Sequence, residues 1–146
     1  MKTFSEILDT KKYISCVMDI KSITENGCPN LEIVINDKKI IEFEVIEDIK
    51  LQTTVPLLDA FKLKFKMSNK VYHQDKETAI IINCSIDGNE ILPRFQYLLN
   101  YNNDKKQDVK TNYMGFNGEL LLDINKPFYE WYHQHTNQGV LLYPIC

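Results

Sequence analysis

Between Phe61 and Met67 the chain reads Phe-Lys-Leu-Lys-Phe-Lys-Met, with apolar and lysine positions alternating without a fault. A period of two puts Phe61, Leu63, Phe65 and Met67 on one strand face and the lysines on the other, which predicts a half-buried strand. The segments 31–35 and 41–45 alternate in the same way, and Asn36-Asp37-Lys38-Lys39 between them supplies turn formers, so the two predict a β-hairpin with glutamates on its wet side. Thr78 to Ile86 is β-branched and more continuously apolar, as expected of a central strand covered on both faces, and Asp87-Gly88-Asn89 then turns the chain toward 90–93. Leu120 to Ile124, Tyr13 to Ile23 and Gly139 to Tyr143 complete the predicted strands.

Helix is scarce by the same reading. Ser5 to Lys12 predicts a short helix capped by Thr3 or Ser5, and Lys126 to His133 predicts one or two turns, because Pro127 suits a helix start. The polar, lysine-rich stretch Asn100 to Asn112 reads as an exposed loop. About seven to nine short strands separated by turn signals, with no internal repeat or linker, predict one all-β domain over 1–146. The expected architecture is an antiparallel β-sandwich of jelly-roll type with one or two short helices. Its predicted core is Leu31, Ile33, Ile35, Phe43, Val45, Phe61, Leu63, Phe65, Ile80, Ile82, Leu120 and Leu122.

Composition narrows the function classes. The 146 residues carry 17 basic and 20 acidic side chains, a formal charge of −3, and Arg94 is the sole arginine. Duplex recognition ordinarily uses a basic face and arginine forks, so no specific duplex nucleic acid is expected as a partner. No apolar run approaches the length of a membrane helix, and the first residues lack a secretory pattern, so no membrane partner is expected. Cys16, Cys28, Cys84 and Cys146 show no C-x-x-C pair, which argues against a structural zinc site and for reduced thiols, with Cys84 a small core residue.

The densest candidate chemistry lies between Phe128 and Gly139, where four aromatics, two imidazoles and several amides fall within a dozen residues. Aromatic faces stack on sugar rings or bases while amides and imidazoles give directional hydrogen bonds, so Tyr129, Trp131, Tyr132, His133, His135 and Gln138 are the candidate ligand-binding residues. The plainer alternative has Phe128, Trp131 and Tyr132 plugging one end of the sandwich. His133 and His135 would share a face only if extended, with His73 and Glu130 as further ligands, and no metal or other cofactor is expected. Asp-x-Lys pairs, as in some nucleases, occur at Asp48/Lys50, Asp19/Lys21 and Asp108/Lys110, but lysine abundance makes the match cheap. Nucleophile-elbow, Walker, dinucleotide and zincin signatures are absent, which favours a non-enzymatic role.

Two blocks carry resemblances. Thr78 to Gly88, preceded by Asp75, resembles the closing strand of small calcium-dependent carbohydrate-binding modules, β-sandwiches in which an acidic loop precedes a strand ending in Asp-Gly. This stretch lacks their Asp-Arg-Asn loop. Tyr113 to Leu120, followed by 127–132 and 138–142, resembles the C-terminal half of small uncharacterised tailed-phage proteins, which implies a viral origin made in host cytoplasm and a possible place in the virion. The expectation is a non-catalytic, phage-encoded module for a glycan or similar polar ring. The alternatives are a virion subunit of the tail, neck or capsid surface that packs against neighbouring subunits as an oligomer, a small metal-dependent nuclease or phosphoesterase, and a nucleotide sponge.

Overall fold

The computed structural model describes residues 12–136. Ten strands follow in order: β1 (Tyr13–Thr24), β2 (Asn30–Ile35), β3 (Lys38–Glu44), β4 (Ile49–Pro56), β5 (Phe61–Ser68), β6 (Thr78–Ile86), β7 (Asn89–Leu92), β8 (Asn100–Asn103), β9 (Tyr113–Met114) and β10 (Gly118–Ile124). A single α-helix, α1 (Phe128–Thr136), closes the described chain. The predicted helix at 5–12 and strand at 139–143 lie essentially outside the described residues. Among those described, no helix is long and apolar enough to cross a membrane.

The strands form two antiparallel five-stranded sheets. One has the order β4-β1-β6-β7, with β9 also pairing β6, and the other the order β3-β2-β5-β10-β8. Inward side chains of both sheets meet in one core: Cys16, Met18, Ile20, Ile80, Ile82 and Ile86 from the first, Leu31, Ile33, Phe61, Leu63, Phe65, Leu120 and Leu122 from the second. The protein is therefore an all-β sandwich. Its stability rests on apolar area removed from water between the sheets, about 1.5 to 3 kcal/mol for each large side chain fully buried.

Local chemistry explains the elements. In β5 the alternation Phe-Lys-Leu-Lys-Phe-Lys-Met buries every apolar residue and leaves its lysines exposed or half-buried. The β2–β3 hairpin turns on two residues, Asn36 and Asp37, both at positive φ (51° and 65°), the conformation a tight hairpin of the right twist demands. The β6–β7 hairpin repeats this device with Asp87 (φ 51°) and Gly88 (φ 78°). Lys38 and Lys39, expected in the turn, begin β3 instead, and a bulge displaces the register between Ile33 and Val34.

Three expectations are corrected. Asn100–Asn103, read as loop, is an edge strand, because β10 offers Gly118 to Leu121 as antiparallel partners and polarity is no obstacle at an edge. β6 is central in its sheet, yet its outer positions Ile81, Asn83 and Ser85 are only half-buried, so it is not covered equally on both faces. Phe43 is partly buried rather than in the core proper, since β3 is an edge strand. β4 was not anticipated, although Ile49, Leu51, Thr53 and Val55 alternate along it.

Candidate functional site

The segment 128–136 folds as a helix whose apolar side is structural. Trp131 is 1% exposed and Phe128 is buried; the indole lies 5.1 Å from the Phe95 ring, 6.5 Å from Phe128 and 4.9 Å from His135, measured between ring centres. An indole enclosed in this way has no face to offer a ligand, so Trp131 belongs to the plug at the end of the sandwich. Tyr132 packs half-buried against the same cluster, and its hydroxyl oxygen accepts from Arg94 Nη1 at 2.8 Å. Tyr129 stays outside, 40% exposed, and its hydroxyl donates to Asp87 in the β6–β7 turn, which ties helix to sheet. Burial, then the Asp87 carboxylate, pushes that hydroxyl up to about 12.

His133 and His135, two apart on a helix, point about 200° apart around its axis and do not form a pair. Burial and the Lys126 ammonium hold His135 below the ordinary imidazole value. Gln138 lies outside the described residues. Among the described residues, no three His, Cys, Asp or Glu side chains converge as a metal site would require. Asp48 is engaged by Ser22, whose backbone N–H donates at 2.8 Å and whose hydroxyl donates at 3.2 Å, and Lys50 sits opposite Asp19 in the β1–β4 ladder. Lys110 donates to the Leu99 carbonyl at 2.9 Å. Asp48 and Lys110 are thus occupied structurally. Cys16 and Cys84 face one another in the core with sulfurs 3.6 Å apart, and the hydrogen bond they share, then burial, pushes the Cys84 thiol well up.

Among the described residues a concavity lies elsewhere, where the β5–β6 loop meets β9 and the residues after it. This cleft has a volume of about 490 Å³, the size of a small-molecule site. Its aromatic surfaces are Tyr72, Tyr113 and Phe116, with Tyr101 behind them. Tyr72 and Phe116 are tilted rings 6.4 Å apart, and Phe116 and Tyr101 are separated by the same distance.

Polar contacts fix each ring. The Tyr72 hydroxyl donates to Asp104 and accepts from the Asn117 N–H at 2.9 Å; burial, then that carboxylate, pushes it up to about 12. The Tyr101 hydroxyl donates to the Phe116 carbonyl and accepts the Phe116 N–H at 2.9 Å, which pins the loop between β9 and β10. Asn117 locks the other wall with its side-chain amide. Its oxygen accepts the Lys70 N–H and its nitrogen donates to the Lys70 carbonyl, both at 2.9 Å, so one side chain imitates a strand neighbour.

Lys70 lies under this wall with its side chain 5% exposed, bonded to the Glu77 carboxylate and donating to the Gly115 carbonyl at 2.6 Å. Burial raises Glu77, but the Lys70 ammonium, the Thr78 N–H and the Tyr113 hydroxyl outweigh it and hold the carboxyl below its usual value. At the rim, His73 Nδ1 accepts the Asp75 N–H at 3.0 Å, which leaves the proton of the neutral ring on Nε2. The charged lining is nearly balanced, with Glu25, Asp75 and Glu77 against Lys70 and Lys76.

Comparison with protein-family models, curated proteins and solved structures finds no match to this chain. The chemistry of the cleft is therefore read from its own residues.

Proposed function

We propose that this protein is a non-catalytic binding module that takes a neutral, polyhydroxylated ring ligand, a glycan unit, in the cleft between the β5–β6 loop and β9. The observation that carries the reading is the pairing of aromatic walls with a polar lining whose charges nearly balance, with one acid in excess. Tyr113 and Phe116 offer faces for the apolar side of a sugar ring, while Glu25, His73, Gln74 and Thr111 offer hydrogen-bonding groups at the margin. An anionic nucleotide would need uncompensated cations, whereas Lys70, the buried cation of the cleft, is already neutralised by Glu77. The ligand surface thereby moves from the helix to the loop-built cleft, and the kind of ligand stays the same. The proposed phage origin rests on the resemblance of the 113–120 block, part of which forms one wall.

The test is a glycan array followed by calorimetry on the leading hit, repeated with calcium and with EDTA. Binding that Phe116→Ala abolishes and Tyr129→Ala leaves intact supports the cleft. Absence of any glycan hit, or a hit untouched by Phe116→Ala and lost with Tyr129→Ala, overturns it, and cyclic-nucleotide binding in its place would favour the sponge reading.

A further inference from the structure

Asparagine followed by glycine occurs twice in the chain, at Asn26-Gly27 and Asn117-Gly118. The pair is chemically labile, because glycine has no side chain to keep its backbone nitrogen away from the preceding side-chain amide. The two copies stand in opposite surroundings. Asn26 lies in the turn between β1 and β2, half-buried between exposed Glu25 and Gly27. Its amide nitrogen donates to the Val71 carbonyl at 2.8 Å, the one hydrogen bond its side chain makes among the described residues. Gly27 follows at φ +91°, with open space on the side where a Cβ would stand.

Asn117 is held at both ends of its amide, which accepts the Lys70 N–H and donates to the Lys70 carbonyl, both at 2.9 Å. Its backbone carbonyl accepts the Asp104 N–H at 3.0 Å. Gly118 is then fixed in the sheet between Met67 of β5 and Asn103 of β8. For the glycine nitrogen to reach the amide carbon, the asparagine must turn about its Cα–C bond and swing its side chain round. At Asn117 that motion breaks both side-chain bonds and disturbs a strand paired on two sides. At Asn26 it breaks one bond in a turn.

We propose that Asn26 is a site of spontaneous deamidation, with water as co-reactant, and that its conversion unclasps the β5–β6 loop from the β1–β2 turn. The Gly27 nitrogen gives up its proton and attacks Asn26 Cγ. The N–Cγ bond forms, the Cγ–Nδ2 bond breaks, and Nδ2 leaves as ammonia with the proton. Water then opens the cyclic imide at one carbonyl or the other, leaving aspartate or a backbone rerouted through the side chain as isoaspartate; nothing is oxidised or reduced. Either product replaces the donor at Val71 with a carboxylate that its carbonyl repels. Val71 adjoins Tyr72 and His73 in the loop that walls the cleft, so that wall loosens whatever the cleft binds.

Peptide mapping by mass spectrometry, on full-length protein aged in warm, mildly alkaline buffer, tests the site. The Asn26 peptide should become heavier by about 1 Da, with isoaspartate detectable by enzymatic methylation. It should convert roughly tenfold or more ahead of the Asn117 peptide, since Asn117 must break a further hydrogen bond and disturb a strand. In strong denaturant, where neither site is held, the two rates should converge. Hydrogen exchange tests the consequence: residues 69–77 should exchange faster in aged wild type and in fresh Asn26→Asp than in fresh wild type. Asn26→Gln, whose longer side chain closes the ring far more slowly, should show no such change on ageing. Thermal melts confirm that both variants fold. An Asn26 peptide that converts no faster than Asn117 in the native protein, or a loop whose exchange is unaltered once Asn26 has converted, would overturn the proposal.

Discussion

The Lys70 ammonium is sealed beneath the cleft wall with its side chain 5% exposed, and the Glu77 carboxylate that neutralises it is 43% exposed. The two partners of one ion pair therefore differ sharply in their access to water, and so must the consequences of removing each.

Glu77→Gln strands a buried cation with the Gly115 carbonyl as its remaining charge-stabilising acceptor, whereas Lys70→Met leaves a carboxylate that water can still reach. Breaking a fully buried pair costs about 3 to 5 kcal/mol, and the exposure of Glu77 reduces this to roughly 2 kcal/mol for Glu77→Gln, with Lys70→Met milder. Urea denaturation of both variants at neutral pH checks the order. Because Glu77 titrates below its unfolded value of 4.5, its contribution is present above that pH and is lost as pH falls through the lower folded value. The gap in stability between wild type and Glu77→Gln should accordingly narrow in acid below about pH 4.5 and not between pH 6 and 8; a gap insensitive to acid would contradict this account.

Trp131, enclosed by Phe95, Phe128 and His135, should be nearly inaccessible to iodide in the native protein and become quenchable only on unfolding. Trp131→Ala should destabilise the fold by about 3 to 5 kcal/mol through the cavity it leaves, without selectively abolishing ligand binding in the cleft, whose lining does not include the indole. Ready native-state quenching would show the indole to be outside the core.

Gly118 begins β10 at φ +155°, and a Cβ placed there would lie 2.3 Å from the backbone oxygen of Asn102 and 2.6 Å from Asn103 Cα. The neighbour is main chain of β8, which has no flexible end to move aside. Gly118→Ala should cost roughly 2 kcal/mol or more and raise hydrogen exchange along the β8–β10 pairing before other strands. Unchanged stability would mean that β8 yields freely.

Much of the strand content was legible because a sandwich strand must alternate to keep one face dry. β5 and the β2–β3 hairpin were visible for that reason, β6 and β10 as more continuously apolar runs, and eleven of the twelve predicted core residues are buried. β8 was not legible, since Asn-Tyr-Asn-Asn has no strand pattern of its own and is extended only because β10 pairs with it. The cleft was equally hidden. Tyr72 and His73 lie some forty residues before Tyr113 and Phe116, and no spacing rule joins them; the aromatic-glycine run 113–116 was the one local signal.

The same limit explains the helix. An aromatic and imidazole cluster in sequence is compatible with an exposed binding face or with a plug, and the deciding quantity is which neighbours reach the indole. Phe95, thirty-six positions earlier, reaches it. The sequence by itself determined the β-sandwich class, the hairpin turns and the apolar faces, because these depend on periodicity and on the backbone preferences of single residues. Tertiary structure alone decided that Trp131 is core, that Lys70 is buried against Glu77, and that the concavity forms between the β5–β6 loop and β9, because burial and charge pairing depend on segments distant in the chain.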